Sequence, residues 1–453
     1  MDELKTIDEI LEEILDLIEE KKYVQIKKTL QDLNEVDIAD ILDELDLHNT
    51  LLIFRMLPKD LAVDVFAHFE HERQLEIIEA ITDKEVKNIV EELFFDDMID
   101  LIEEMPANIV KKVLKHSTEE ERKLINQFLM YPQESAGSIM TIEYVDLKKQ
   151  MTVGEALKHI KETGITKETV YTCYVTDQNR KLEGIVSLRL LVVSDKEAVI
   201  EDLMEDDIIY TNTHDDQESV AALFRKYGFL AIPVVDNEKR LTGIITVDDI
   251  MEVMEQEATE DFQRMAAMAP SEEAYLNTKV MVLAKQRILW LLILMVSATI
   301  SGNIISRYED ILSAVVVLTS FVPMLMDTGG NSGSQSSTLI IRGLATGEIQ
   351  MKDAPKVLWK EFRIALMVGG ALAAVNFLRL LFIVRTDYII GILVSLTLMF
   401  TVVIAKLLGG MLPIAAKKLK LDPAIMAGPL ITTIADALSL IVYFSMASIL
   451  LGI

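Results

Sequence analysis

A single cysteine, Cys173, is found in 453 residues. No disulfide framework can be built from it, and a reducing compartment fits. Histidine is also scarce: there are six, all before Val280. His68 and His71 stand three apart on a helical pattern, but no carboxylate–histidine set with zinc spacing surrounds them. They read as ordinary surface histidines. No Walker-type phosphate loop occurs, so a nucleotide-driven pump is not expected. No catalytic constellation is seen either, and the chain reads as a non-enzyme. Met1-Asp2-Glu3-Leu4-Lys5 lacks a basic n-region and an apolar h-region, which predicts no cleavable signal and a soluble half that stays on the side of synthesis. Positive charge is the minority: 44 Lys and Arg against 72 Asp and Glu, a formal net charge of -28. Nucleic acid is excluded as a partner, because phosphate binding needs basic surface.

The acid excess is one-sided. From Val280 onward there are 14 basic and 9 acidic residues; the other 30 basic and 63 acidic residues precede it. An acidic soluble half is joined to a weakly basic, apolar half. Acidity serves solubility, but an excess this large also points to multivalent cations as partners.

Residues 1–131 read as helices throughout, with apolar residues at three and four, as in Ile7, Ile10, Leu11, Ile14, Leu15 and Ile18. Short similar units follow, such as Asp37–Leu42, Leu61–Phe66, Val86–Val90 and Met98–Ile102, punctuated by Pro58 and Pro106. Such repetition predicts stacked short helices in a small superhelix. Asp96, Asp97 and Asp100 fall at a turn and helix start, where capping explains acids.

From about 132 to 256 the character changes. Val170–Thr176 and Leu182–Leu188 read as strands around a turn, and the order returns with Phe229–Asp236, Asn237–Arg240 and Leu241–Val247. Two units of strand, turn, strand and helix form an internal repeat. The segment from Asp248 to about Met268 is then a strongly acidic helix with Asp248, Asp249, Glu252, Glu255, Glu257, Glu260 and Asp261. Like charges at three and four destabilise a lone helix, so something cationic should relieve them. Pro270 breaks the chain, and Ser271-Glu272-Glu273 predicts an N-terminal cap for the next helix.

Five apolar segments are expected at about 286–305, 311–339, 361–384, 388–416 and 423–452. The second and fourth exceed one simple crossing, so tilt, breaks or interfacial ends are expected. Lys285 and Arg287; Arg342, Lys352, Lys356, Lys360 and Arg363; and Lys417, Lys418 and Lys420 fall on one side, with only Arg307 and Arg385 opposite. That asymmetry places the soluble half inside and the C-terminus outside. The last segment carries one carboxylate, Asp436, deep in its length, which costs roughly 2.5–3.5 kcal/mol at a helix centre unless it faces water, an ion or a partner. Gly428, Thr432 and Asp436 share one face at i, i+4, i+8, offering oxygen ligands of the kind a hard cation or its hydration shell accepts. For Gly428 and Thr432 a packing stripe explains the pattern equally; for Asp436 it does not. Pro323–Thr338 is rich in small and polar residues, which a lipid-facing helix would not tolerate.

The strand repeat resembles a tandem CBS pair, the adenosine-ligand-binding regulatory module. Tyr131–Thr141 (YPQESAGSIMT), together with the run Pro323–Thr338, is similar to the MgtE family of magnesium channels, and the likeness covers the whole chain. The implied fold is multidomain: an all-α acidic superhelical N domain (1–131), two α/β CBS units (132–200 and 201–256), a connecting or plug helix and linker (248–283), and an α-helical membrane domain with five spans (284–453). The resemblance implies a homodimer in the cell membrane, importing Mg2+ down its electrochemical gradient. It also implies a pore at the subunit interface where Gly330–Gln335 meets Gly428–Asp436, carrying over Asp436 and Asn331. A hydrated ion held between two copies of Asp436 is expected, since magnesium dehydrates reluctantly. Regulatory Mg2+ is expected to draw the acidic domains together through Asp249, Glu252, Glu257, Glu260 and Asp261, with Asp216, Glu218, Asp97 and Asp100 as further ligands, and so to close the pore. Two departures stand out. Ser187-Leu188-Arg189 is followed by Leu190, where the CBS pattern has Asp, which bears on nucleotide (ATP or another adenosine ligand) at the first unit. Gly228 follows Tyr227 where the family has Asp, which removes one bridging carboxylate. The same donors suit manganese, cobalt or calcium, and the rival of another class is a CBS nucleotide sensor with a membrane anchor.

Overall fold

The computed structural model describes residues 6–115, 117–271, 275, 276 and 278–452, with backbone alone at Glu104, Glu120 and Glu121. Met1–Lys5, and Glu272 and Glu273 of the expected cap, lie outside the described residues. The chain divides into two compact units, one ending at Met251 and one starting at Glu252.

Among the described residues, the first unit opens with ten helices: α1 (Ile7–Glu19), α2 (Tyr23–Gln31), α3 (Glu35–Asp43), α4 (Leu47–Phe54), α5 (Lys59–Ala67), α6 (His71–Ala80), α7 (Asp83–Glu92), α8 (Phe95–Glu104), α9 (Ala107–Leu114) and α10 (Glu119–Phe128). Thr6, Asn34, Asp46 and Thr82 cap α1, α3, α4 and α7 with side-chain oxygens, while Pro58 and Pro106 stand before α5 and α9. Each helix is too short to be stable alone. Stability comes from stacking in two rows: α1 on α3, α5, α7 and α9, and α2 on α4, α6 and α8. Ile38, Ile41 and Leu42 of α3 are fully buried between them. Each such side chain contributes about 1.5–3 kcal/mol. This is the stacked arrangement that the repetition predicts.

The strand repeat forms two three-stranded sheets. In the first, β1 (Asp146–Leu147) lies parallel to β2 (Thr172–Thr176), which pairs antiparallel with β3 (Leu182–Ser187), Tyr174 opposite Ile185. In the second, β4 (Thr211–Asn212) lies parallel to β5 (Ala231–Val235), which pairs with β6 (Leu241–Thr246), Pro233 opposite Ile244. The short edge strands β1 and β4 carry too few residues for alternation to reveal them. Helices α11 (Val153–Thr163), α12 (Leu188–Val193), α13 (Ile200–Leu203) and α14 (Gln217–Tyr227) cover the sheets. Both hairpins turn the same way: Asp177 accepts from the amides of Asn179 and Lys181, and Asp236 from those of Glu238 and Arg240. The two tips then pair, the Leu182 amide donating to the Lys239 carbonyl and the Leu241 amide to the Arg180 carbonyl. Tyr131–Thr141 straps onto the second sheet, where the Thr141 and Ile244 amides and carbonyls exchange hydrogen bonds at 2.8 and 2.9 Å. A Cβ on Gly137 would stand 2.7 Å from both the Thr213 carbonyl and the Tyr131 ring, which is why glycine occupies that position.

Helix α15 (Val247–Met265) follows β6. The second unit then contains α16 (Val280–Arg307), α17 (Glu309–Ala314), α18 (Val322–Ala345), α19 (Ala354–Arg379), α20 (Tyr388–Lys418) and α21 (Gly428–Leu451). Among the described residues, four stretches are long and apolar enough to cross a membrane: Val280–Arg307, Met351–Val384, Tyr388–Lys418 and Pro423–Leu451. The expected second segment, 311–339, is divided instead, with α17, a 3-10 stretch Val316–Phe321 and then α18. α18 carries the Asp327–Thr338 polar run and packs against α20 and α21, so it is the inner helix of the bundle. The fourth segment stays helical through Pro413.

Candidate functional site

The register of α18 against α21 follows from glycine. A Cβ on Gly330 would lie 2.8 Å from Thr432 Cγ2, on Gly329 2.9 Å from Ser439 Oγ, and on Gly333 2.5 Å from Ile431 Cγ2. The two backbones therefore approach closely, in antiparallel order, and Asp327 comes level with Asp436. Asn331 Nδ2 donates to Asp327 Oδ1 at 3.1 Å. Asp327, Asn331, Gln335, Thr338 and Arg342 recur at four, four, three and four, and all are exposed on the single chain. Such a polar stripe on a membrane helix must meet protein, water or ions. Half-buried Thr432 and Asp436 lie beside it on α21. Thr432 donates its hydroxyl to the Pro429 carbonyl at 2.8 Å, so its lone pairs face outward from that bond. Sequence reasoning passed over Asp327; its spacing of four from Asn331 is the signal that could have found it.

Gly428 has a different setting. It begins α21 with φ +29, and a Cβ there would stand 3.0 Å from the Met265 carbonyl at the end of α15. At this junction Arg264 is ion-paired with Glu260 and Asp422. Burial first, then Asp422 and Glu257, push the Asp261 carboxyl up to about 6, against the pull of Arg264. Among the expected regulatory residues, Glu257, Glu260 and Asp261 thus share one acidic neighbourhood with Asp422. Glu252 is exposed and accepts from the Gln256 side chain at 3.4 Å.

A second acidic neighbourhood lies within the first unit. The Asp96 Oδ1 atom is shut off from solvent and accepts no hydrogen bond. Burial, then Asp249, Asp97, Glu168 and Glu143, push its carboxyl well above the usual range. Burial, then Asp249, Asp248, Asp97 and Glu143, push Glu168 up to about 7. Backbone and capping bonds pin the surroundings: Phe95 N–H donates to Glu143 Oε2 at 3.4 Å, Thr141 Oγ1 to the same oxygen at 2.6 Å, and Thr246 Oγ1 to Asp249 Oδ2 at 2.5 Å. The structure brings Asp97 and Asp249 to this place and adds Asp96, Glu143 and Glu168. The last two sit in loops without a motif. Asp100 is on the exposed side of α8. Asp216 caps α14, accepting from the Glu218 amide at 2.9 Å, and Glu218 stands in the same first turn. Among the described residues, no three His, Cys, Asp or Glu side chains form a ready-made ion cage.

A cavity of about 500 Å³ opens between the two strand units, lined by Tyr171, Arg189, Asp207, Tyr227 and Phe229 among others. Aromatic walls and one guanidinium suit a purine and an anion. Gly228, where the pattern of the resembling family has Asp, holds φ +68 as the C-terminal glycine of α14.

Comparison with known proteins matches these parts in order. The family model of the MgtE intracellular N domain covers residues 33–134, that of CBS domains residues 136–194 and 200–256, and that of MgtE, described as a divalent cation transporter, residues 322–446. The chain is 34% identical to the magnesium transporter MgtE of Thermus thermophilus, over 94% of this chain and 95% of that one. It is also 34% identical to MgtE of Bacillus subtilis, over 98% of each. The crystal structure of the soluble part of a magnesium transporter aligns at TM-score 0.52 and 30% identity, covering 56% of this chain and all of that one. The cytosolic domain of the Mg2+ channel MgtE in complex with ATP aligns at TM-score 0.50 and 32% identity, covering 53% and 98%.

Proposed function

The chain belongs to the MgtE family of divalent cation transporters, and from that membership we propose that it imports Mg2+ passively through a pore closed by cytosolic Mg2+. The observation that carries this reading is the polar face of α18, Asp327 and Asn331, level with Asp436 of α21. In a homodimer with five spans per subunit, two such faces meet at the axis. Mg2+ keeps much of its water there and touches Asp436 and Asn331 through it, because it dehydrates reluctantly. Thr432 adds an oxygen beside this path. Gly428 acts next to it by letting the end of α15 approach. The inside-negative potential supplies roughly 2.3 kcal/mol per charge per 100 mV, doubled for a divalent ion.

The acidic half is the sensor. Asp96, Asp97, Glu143, Glu168 and Asp249 repel one another when no cation is present, and an ion at the partnerless Asp96 oxygen relieves both burial and repulsion. Glu252, Glu257, Glu260 and Asp261 do the same along α15, with Asp216, Glu218 and Asp100 as outlying ligands. The soluble domains and basic loops are cytoplasmic and the C-terminus is outside. ATP or another adenosine nucleotide fits the cavity at Tyr171, Arg189 and Phe229. Leu190 supplies no carboxylate for it.

The test is rescue of a magnesium-auxotrophic bacterial strain by the wild type beside Asp436→Ala at equal membrane expression. Rescue by the wild type alone is expected. Equal rescue by both would remove Asp436 from the ion path, and rescue by neither would redirect the reading to manganese or cobalt.

A further inference from the structure

Behind the ion-facing side of α18 lies a charge pair that transport does not use directly. Lys406 of α20 is 5% exposed, Glu361 of α19 is 6% exposed, and Ser336 of α18 is 1% exposed between them. Ser336 Oγ donates to Glu361 Oε2 at 2.6 Å and accepts from Lys406 Nζ at 3.4 Å. One hydroxyl thus joins an ammonium on one helix to a carboxylate on another. The backbone is shaped for it. A Cβ on Gly409 would lie 3.1 Å from Ser336 Cβ, and one on Gly410 3.1 Å from Glu361 Cγ. Two successive glycines on α20 therefore admit α18 and α19, one turn from Lys406. Small-residue packing sets how closely α18 approaches α20 and α21; a hydrogen-bonded charge relay adds a directional contact that opposes its rotation.

Ser336 is five residues from Asn331, about 140° around the helix at 3.6 residues per turn. Fixing Ser336 at the back therefore aims Asn331 and Asp327 at the front. We propose that Lys406, Ser336 and Glu361 are positioning residues: they lock the rotation of α18 so that its polar face stands beside Asp436. The inference rests on the pore reading for its consequence in transport, although the rotation itself is measured without transport.

The test uses the full-length protein in liposomes. Cys173 is the only cysteine, so Cys173→Ser with Asn331→Cys gives a single reporter on the polar face. Into this background go Lys406→Met with Glu361→Gln, which removes both charges together, and separately Ser336→Ala, which keeps both charges and cuts the link. The rate of modification by a water-soluble thiol reagent is read beside the thermal melting midpoint. The same changes in the Asn331 protein are read as the Mg2+ to Ca2+ uptake ratio. The expected result is a midpoint close to the parent's when both charges are removed and a lower one in Ser336→Ala, where two buried charges lose their link, with a labelling rate changed in both by about tenfold to about a hundredfold and a shifted uptake ratio. Labelling and ratio as in the parent protein would overturn the proposal, leaving a plain buried pair. Failure of both variants to fold would also overturn it, because the cluster would then be needed for folding rather than for aim. If labelling moves while Asp436→Ala leaves uptake intact, the pore reading fails and the positioning stands.

Discussion

Arg264, in the last turn of α15, is ion-paired with Asp422, whose other oxygen accepts from the Ala424 amide at 2.7 Å and caps the turn into α21. One carboxylate thus fastens the end of the acidic helix to the start of the helix that carries Asp436. Arg264 also holds Glu260, so it offsets part of the acid excess as a bound cation would. Arg264→Ala leaves Glu257, Glu260, Asp261 and Asp422 without that cation, and more Mg2+ is then needed to bring the two elements together. The half-closing Mg2+ concentration, read from uptake against internal Mg2+, should rise by about fivefold or more. A fall would mean that Arg264 competes with the ion instead of standing in for it.

The contact between α18 and α21 depends on missing side chains. At Gly333 even a methyl group would stand 2.5 Å from Ile431 Cγ2 and 3.2 Å from the Ala405 carbonyl. Gly333→Val should therefore destabilise the bundle by about 1–3 kcal/mol through overpacking and lower uptake by separating the Asn331 and Asp436 faces. Gly302→Ala is the control, because nothing lies within 4 Å of its added Cβ. Thermal melting and uptake are measured on both; equal behaviour of the two would refute the close-packing account.

Much of this is legible in the sequence. Helix periodicity located the stacked helices, and two similar hairpins located the strand pair. Asp436 stood out because a carboxylate in an apolar run has a large cost. Other features left no trace in pattern. β1 and β4 are two residues each, too short for alternation. Glu143 and Glu168 join Asp96 only through the docking of the strap and helix α8, a relation of distant segments. Asp216 was legible as an acid but not as the cap of α14. Lys406 lies inside a long apolar stretch and Glu361 at the edge of another, between Lys360 and Arg363, where each alone resembles a tolerated charge; only their shared bond to Ser336 shows what holds them there.

Gly228 offers a gain-of-function test. It ends α14 with φ +68 and has nothing within 4 Å of an added Cβ. Gly228→Asp costs about 1–2 kcal/mol for a left-handed non-glycine residue, less for Asp than for most because its short side chain bonds locally. It returns the carboxylate that the family pattern places after Tyr227. The half-closing Mg2+ concentration should fall by about fivefold. No change in that concentration, with a lowered melting midpoint, would show that the missing carboxylate plays no part in closing.

The cluster around Asp96 should make stability depend on protons and Mg2+ in the same sense. Glu168 is raised to about 7 in the folded protein, from an ordinary 4.5, and Asp96 is raised as well. Between the unfolded and folded values, the folded state binds more protons than the unfolded one. Stability therefore falls as pH rises through about 7 and is regained as pH drops toward 5. Without divalent ions, the whole chain in detergent should melt at a higher temperature at pH 6 than at pH 8. Glu168 contributes about 1 kcal/mol or less to that difference, since solvent screens its partly exposed carboxylate. Added Mg2+ should stabilise more at pH 8, where the carboxylates are charged, than at pH 6, where protons already relieve them. Asp96→Asn removes the buried charge, so it should raise the melting point at pH 8 without Mg2+ and shrink the gain from adding it. A pH-independent Mg2+ effect, unchanged in Asp96→Asn, would mean that the ion acts elsewhere, with the carboxylates along α15 the remaining place for it.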